Sequence, residues 1–246
     1  MDADSAISFS DVSKTYGKQT VLSGIDLEVH SGEFLGLVGV NGAGKTTLIK
    51  CLLDFTQFKM GTISIFGTDN AEVESRQRLA FLPEKFVPPY YLTGADYLQF
   101  MAELYATPYE EKKVEQMLGV LDLDMSALVK SVRHLSKGMS QKLGLAACLL
   151  SDRDLFILDE PMSGLDPKAR VYLKQHLLTL KSAGKTLFFS SHMLGDVETL
   201  CDKVGILHEG SMQFIGSPSQ CCSEYKTDDF EQAYLRCVGA ELGQGQ

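Results

Sequence analysis

The first part of the chain alternates apolar and polar residues in short runs, which is typical of antiparallel strands with one buried face. These runs extend over residues 7–35 and are interrupted near Gly17 and Gly32. Two further apolar runs, at 61–67 and 79–82, predict two more strands. We expect these strands to complete a mixed sheet.

Between residue 93 and about residue 128 the apolar positions recur every three or four residues, which predicts helices. Thr93 and Asp96 have the spacing of a capping box at a helix start. We therefore expect a helical insertion over residues 86–134. Its predicted apolar stripe contains Tyr97, Met101, Leu104, Val114, Met117, Leu118 and Leu121.

The second half of the chain alternates helical patterns with apolar strands, as α/β proteins with parallel strands do. The predicted elements are a helix over 135–150, a strand over 155–158, a helix that starts at Asp166 and Pro167, a strand over 185–190, a hairpin over 204–215 and a last amphipathic helix after residue 228. Ligands bind at the carboxyl ends of such strands, so the residues that follow each strand are candidates for a site.

One of these strand ends carries a phosphate-binding motif. After the apolar run 34–38, residues 39–46 match G-x-x-x-x-G-K-[ST], and a helical pattern follows. Glycines let successive amides turn toward a phosphate, Lys45 can reach the terminal phosphates, and the Thr46 hydroxyl can bind Mg²⁺. A glycine-rich turn before a helix is the alternative, but strand and helix stand where the motif requires them. The predicted nucleotide-binding residues are Gly39, Val40, Asn41, Gly42, Ala43, Gly44, Lys45, Thr46 and Thr47.

Two other strand ends carry candidate catalytic residues. Asp159 ends an apolar strand and is a typical second carboxylate of a phosphate-loop site, where it holds Mg²⁺. Glu160 can orient or deprotonate the attacking water, although a solvated turn before Pro161 is the alternative. His192 alone would more often be a packed or surface imidazole, but its position after a parallel strand favours a γ-phosphate contact.

Composition and charge narrow the class of protein. The chain has 246 residues, of which 44% are hydrophobic and 22% are charged, as is ordinary for an α/β protein. The net charge is −9 and Lys and Arg form no dense cluster, which argues against nucleic acid or anionic lipid as the main partner. No apolar run approaches the roughly 18 residues of a membrane span, so we expect membrane contact only through a partner.

The motifs in this order resemble those of the nucleotide-binding subunit of an ATP-binding-cassette (ABC) transporter, over essentially the full chain. Residues 39–46 match the family's Walker A motif, residues 155–160 its Walker B motif with the catalytic glutamate, and residues 163–166 its D-loop. His192 matches the switch histidine. Tyr16 stands where the family stacks an aromatic ring on adenine.

The segment 135–139 occupies the place of the family's signature LSGGQ. Lys137 and Met139 depart from that pattern, whereas Ser136 and Gly138 are retained. The retained residues supply a hydroxyl and open amides at a helix N-terminus, which can bind the γ-phosphate of an ATP held by a second subunit.

The resemblance assigns two further polar residues. Glu84 stands where the family has the Q-loop glutamine, and it keeps an acceptor oxygen while adding a negative charge. It is therefore a predicted metal contact together with Thr46 and Asp159. Asp166, in the D-loop, is implied to contact the nucleotide.

The resemblance also implies a fold class and a domain organisation. We expect a single ABC ATP-binding domain over residues 1–246, of α/β class, with a P-loop NTPase-like ABC ATPase core and an antiparallel β subdomain. An α-helical subdomain is inserted over about 86–134, and a short helical tail covers about 228–246.

The implied function is an ATP-hydrolysing subunit that powers a transporter through ATP-dependent dimer closure, with ATP and Mg²⁺ as cofactors. The signature and Q-loop variants resemble a drug-export and ABC-2-like subgroup. The implied partners are transmembrane permease subunits and a second copy or a paralogous ABC subunit, with no nucleic acid, and the implied location is cytoplasmic, peripheral to the membrane. The alternative is a soluble non-transport ABC ATPase or a nucleotide-gated scaffold that acts on a protein or nucleic-acid complex.

Overall fold

The computed structural model describes residues 5–240, and the chain divides into two compact units. The first unit contains the chain up to residue 77 and from residue 186, and the second contains residues 78–185. The strands are β1 (Ser5–Tyr16), β2 (Gln19–His30), β3 (Phe34–Val38), β4 (Met60–Ile65), β5 (Thr68–Asp69), β6 (Leu79–Leu82), β7 (Leu155–Asp159), β8 (Thr186–Ser191), β9 (Lys203–His208) and β10 (Ser211–Gly216).

The described chain contains the predicted helices and two that the sequence analysis missed. The helices are α1 (Lys45–Leu52), α2 (Gly94–Leu104), α3 (Glu111–Val120), α4 (Ser126–Val129), α5 (Lys137–Leu150), α6 (Pro167–Ser182), α7 (Leu194–Leu200), α8 (Pro218–Glu224) and α9 (Phe230–Cys237), with short 3₁₀ turns at Val73–Arg76 and Val132–His134. The two missed helices are α7 and α8. Within residues 5–240, no helix combines the length and the apolarity that crossing a membrane requires.

The first unit holds an antiparallel sheet in the order β2-β1-β4-β5. The expectation that these early strands join β6 in one mixed sheet is wrong, because β1 pairs antiparallel with both β2 and β4 and leaves β6 to another sheet. Alternation explains why: Ile25, Leu27 and Val29 of β2 are buried while the residues between them are exposed. One apolar face suits a sheet covered on one side.

The same unit holds a second group of strands in the order β10-β9-β3-β8. β3 pairs in parallel with β8 and β9, and every residue of β3 and β8 is buried. Continuous apolar strands of this kind belong to sheets covered on both faces. A Cβ on Gly36 would lie 2.6 Å from Val197 Cγ1, so α7 packs directly against β3 at this glycine.

In the second unit β6 pairs in parallel with β7, and α2 to α5 belong to this unit. Thr93 caps α2 as predicted: its Oγ1 accepts from Asp96 N at 3.2 Å, and its own amide donates to the Asp96 carboxylate. Helices α2, α3 and α4 lie within residues 86–134, although their status as a subdomain stays a prediction. The predicted tail contains α9, and its residues 241–246 lie outside the described part of the chain.

The buried stripe of α2 differs from the prediction at one residue. Leu104 is 62% exposed, whereas Tyr97 and Leu98 are buried and Ala102 and Tyr105 are half-buried. Two four-residue steps lead from Tyr97 to Tyr105, and residues at this spacing lie on the same side of a helix. The buried face of α2 is therefore centred on the line from Tyr97 to Tyr105, and Leu104 lies at the edge of that face. The sequence pattern permitted both the three-residue and the four-residue step, and packing selected the latter.

Candidate nucleotide-binding site

The predicted phosphate loop lies between β3, which ends at Val38, and α1, which begins at Lys45. The Lys45 side chain folds back over the loop, where its Nζ donates to Gly39 O at 2.6 Å, and the residue is 6% exposed. Gly44 is the N-cap of α1 and provides no side-chain cap. A helix start capped by glycine presents its amides and the positive end of its dipole to an anion.

Two of the loop glycines are required by close contacts. A Cβ on Gly39 would lie 2.3 Å from Leu207 O, and one on Gly44 would lie 2.9 Å from Leu22 Cδ2. Gly44 also has φ of 114°, a conformation that side chains disfavour. The loop is therefore held against β9 and β2 by its backbone, which fits the binding of a phosphate by main-chain amides.

His192 lies beside this loop. In the parallel pairing of β3 with β8, Val38 is the partner of Ser191, so Gly39 and His192 are the first residues beyond two neighbouring strand ends. His192 is exposed. The structure thus brings the loop and the predicted switch histidine together within the first unit.

Tyr16 ends β1 in the same unit, and its side chain is 48% exposed. The Nζ of Lys14 lies 4.6 Å from the centroid of the Tyr16 ring. Sequence reasoning did not single out Lys14, although a signal was available: residues two apart on a strand share a face. An aromatic ring with a cation at one side remains exposed for stacking.

The two carboxylates predicted from the second apolar strand are buried in the second unit. Asp159 is the last residue of β7 and is 2% exposed, and Glu160 follows at 8% exposure. Glu160 has φ of 51°, a left-handed conformation that costs a residue with a Cβ about 1 kcal/mol or more.

The pairing of β6 with β7 places Glu84 near these two carboxylates. Leu82 is the partner of Leu158, so the chain leaves β6 toward Glu84 beside the strand end that leads to Asp159. Glu84 is exposed. Among the described residues no group of three or more His, Cys, Asp and Glu could hold a metal alone. A buried single carboxylate suits Mg²⁺, which keeps several waters and uses one or two carboxylates together with substrate phosphates.

The retained signature residues stand at a helix start in the second unit. Ser136 is the exposed N-cap of α5, and its Oγ accepts from Met139 N at 3.2 Å. A Cβ on Gly138 would lie 3.2 Å from Gly164 O, so the signature turn lies next to the D-loop. The exposed hydroxyl and the helix start form an anion-binding arrangement that faces away from the core.

Asp166 caps a helix and forms an ion pair with Lys142. It is the N-cap of α6 and accepts from Ala169 N at 3.0 Å, and Lys142 Nζ donates to its other oxygen at 2.9 Å. The backbone bond from Ala169 and then the bond from Lys142 lower the pKa of Asp166 to about 2. Sequence reasoning missed Lys142, which the fold brings to Asp166 from α5. A nucleotide contact of Asp166 stays a prediction.

Comparison with known proteins gives one consistent result. Residues 22–163 match the family model described as ABC transporter. The chain is 38% identical over 233 residues to an uncharacterized ABC transporter ATP-binding protein of Nostoc, covering 91% of this chain and 70% of that protein. It is 35% identical over 216 residues to a Nod factor export ATP-binding protein I of Burkholderia lata, covering 86% and 71%.

The same family is found among solved structures. A structure described as the ATP binding subunit of an ABC transporter superposes with a TM-score of 0.85 at 30% identity, covering 94% of this chain and 99% of that one. The match extends over both compact units. The expected α/β fold, an ABC ATPase core with an antiparallel β portion, is confirmed.

Proposed function

The chain belongs to the ABC transporter ATP-binding proteins, and on that premise we propose how its residues act as the ATPase subunit of an exporter-type transporter. The observation that carries the proposal is the phosphate loop. The loop connects the buried parallel strand β3 to α1, which begins at Lys45 with Gly44 as its N-cap, and the close contacts at Gly39 hold the loop in place. Export is supported by the similarity to the Burkholderia protein, whose name describes Nod factor export.

The phosphate loop binds ATP in this proposal. The amides of residues 39–47 surround the phosphates, Lys45 places its charge on the terminal ones, and Tyr16 stacks on adenine. When bound, Mg²⁺ would neutralise negative charge on the phosphates of ATP. Thr46, the carboxylate of Asp159 and Glu84 would hold that ion. The support for Thr46 is its position in the first turn of α1.

Glu160 and His192 carry the chemistry. Glu160, which is 8% exposed, accepts a proton from the attacking water or orients it. His192 donates a hydrogen bond to the γ-phosphate as charge develops there. Glu160 and His192 come from different units of the chain. Their joint action on one ATP is therefore proposed from family membership.

ABC ATP-binding subunits pair with transmembrane subunits and form dimers, and we propose the same for this chain. It contains one Walker A motif and one signature, so a complete site needs the signature of a second copy or a paralogue. Ser136 and Gly138 then bind the γ-phosphate of the partner's ATP, with Asp166 in the adjoining D-loop. The subunit acts on the cytoplasmic face of the membrane, where the permease holds it.

The direct test is whether the purified chain hydrolyses ATP in the presence of Mg²⁺, with turnover measured as the phosphate that is released. We expect turnover that EDTA abolishes and that rises with protein concentration, because two chains form each site. ATP binding without turnover at any concentration would favour the nucleotide-gated scaffold instead. Co-purification of transmembrane subunits with the tagged chain would separate a transporter subunit from a soluble ABC ATPase.

Ser136→Arg is expected to leave ATP binding to the monomer intact while blocking ATP-driven dimer formation. The bulky cation fills the space in which the partner's γ-phosphate would lie. Ser217→Arg is the matched control, because Ser217 also caps a helix, accepting from Gln220 N at 3.1 Å. Both variants lose a cap of about 1 kcal/mol. Light scattering that shows an ATP-dependent dimer of Ser136→Arg would contradict the composite site.

Glu84→Gln is expected to retain ATP hydrolysis, since the acceptor oxygen that a metal or water contact needs is still present. Turnover measured across a range of Mg²⁺ concentrations provides the check. Glu84→Ala, which removes the oxygen altogether, should raise the Mg²⁺ requirement more than the Gln variant does. Complete loss of activity in Glu84→Gln would instead reveal a role that depends on the negative charge.

A further inference from the structure

Lys14 is a half-buried cation in the first unit with three polar or aromatic contacts. Its Nζ lies 4.6 Å from the centroid of the Tyr16 ring, donates to Thr56 Oγ1 at 2.9 Å and donates to the carbonyl oxygen of Gln57. The ammonium is therefore fixed in place beside one face of an otherwise exposed aromatic ring.

The contacts of Lys14 connect two parts of the nucleotide site. Lys14 and Tyr16 are two residues apart at the end of β1, so strand geometry turns them to the same side. Thr56 lies shortly after α1, the helix whose first residues are Lys45 and Thr46. A second link lies next to it, where Lys59 N donates to Ser13 O at 2.7 Å. The strand end that carries Tyr16 is thus attached to the segment that follows the phosphate-loop helix.

We propose that Lys14 is a positioning residue for base recognition, which holds one face of the Tyr16 ring so that the other face receives adenine. The inference rests on the proposed function, in which Tyr16 stacks on the base. An exposed tyrosine loses rotational freedom when a base stacks on it, and a side chain already fixed by a cation loses less. Lys14 contributes to ATP affinity through Tyr16, without touching the nucleotide.

The competing interpretation is that Lys14 only joins β1 to the segment after α1. In that case its loss would loosen the phosphate loop as well as the ring, and every ligand with a triphosphate would bind more weakly. A positioning role predicts a loss confined to ligands that carry a base. Inorganic tripolyphosphate, which has the phosphates but no base, separates these two outcomes.

The experiment measures the Kd of ATP and of tripolyphosphate by calorimetry for the full chain. Lys14→Met keeps the length of the side chain without the charge, and we expect it to weaken ATP about two- to five-fold, the range for one exposed cation–π contact. Tripolyphosphate affinity should not change. Lys14→Arg should restore ATP affinity, because a guanidinium also stacks on aromatic rings. Lys18→Met is the matched control, an exposed lysine on the nearby turn.

A double-mutant cycle with Tyr16→Ala completes the test. We expect Lys14→Met to have no further effect on ATP affinity once the ring is absent. Equal weakening of both ligands by Lys14→Met, an undiminished effect in the Tyr16→Ala background, or no effect of Tyr16→Ala would each overturn the positioning role. Binding of ATP at the phosphate loop would stand in all three cases, although the third would also remove Tyr16 as the adenine contact. The proposed function fails if the wild-type chain binds neither ligand.

A spectroscopic reading is available because the chain contains no tryptophan. Tyr16→Trp introduces a single reporter at the ring that Lys14 contacts. Adding Lys14→Met to this variant should shift the Trp emission even without nucleotide, since the cation beside the ring is removed. An emission spectrum identical with and without Lys14 would show that the ammonium does not hold the ring in solution, and would overturn the proposal.

Discussion

Glu160→Gln is expected to reduce ATP turnover by about 10²–10⁴ while ATP binding persists, the usual range for a positioned general base. The substitution keeps the size of the side chain and one acceptor oxygen but removes the base and its negative charge. Because ATP then stays unhydrolysed between two chains, the variant should accumulate as an ATP-stabilised dimer. The wild type, which hydrolyses its bound ATP, should remain largely monomeric.

The measurements are phosphate release and, by size-exclusion chromatography with ATP and Mg²⁺, the oligomeric state. Glu209→Gln is a matched control, since Glu209 also has a left-handed backbone, with φ of 46°. The competing explanation is that Glu160 only forms the turn in which its carbonyl accepts from Ser163 N at 3.0 Å. That explanation predicts near-normal turnover for the Gln variant, a result that would refute the catalytic role.

Lys45→Ala is expected to abolish tight ATP binding. The loop would lose the charge that the proposal places on the terminal phosphates, although the backbone amides would remain. The substitution also removes the hydrogen bond from Nζ to Gly39 O. A weaker ATP affinity by at least about ten-fold follows from the loss of one charge-assisted contact.

Calorimetric titration with ATP provides the measurement, and thermal unfolding shows whether the variant retains its fold. Lys50→Ala is the matched control, because Lys50 is an exposed lysine in the last turn of the same helix. Unchanged ATP affinity in Lys45→Ala would show that the loop does not bind the triphosphate as proposed, and would require another site for it.

Much of the local structure follows from short stretches of sequence. The strand, loop and helix around Gly39 and Lys45, the cap of α2 at Thr93 and the helix start at Asp166 each depend on residues within a few positions of one another. Capping bonds and apolar periodicity act over that range, so the sequence alone was sufficient to predict them.

The assignment of strands to sheets required more than periodicity. β4 pairs with β1, and its Ile63 is the partner of Phe9, far away in the chain. A period of two residues identifies a strand and its buried face but does not identify its neighbour. The prediction of one mixed sheet was wrong for this reason. The parallel strands near the site were easier to identify, because each ends at or next to a chemically distinctive residue.

Short-range patterns in the sequence were sufficient to predict the motifs, most of the helices and strands, and the strand ends that carry Asp159, Glu160 and His192, but they missed α7 and α8. Tertiary structure decided the contacts between residues that are distant in the chain: Lys14 reaches Thr56 and holds the ring of Tyr16, and Lys142 of α5 pairs with Asp166. The physical reason is that local propensity acts through neighbours in sequence, while an ion pair or a buried face depends on which elements pack together.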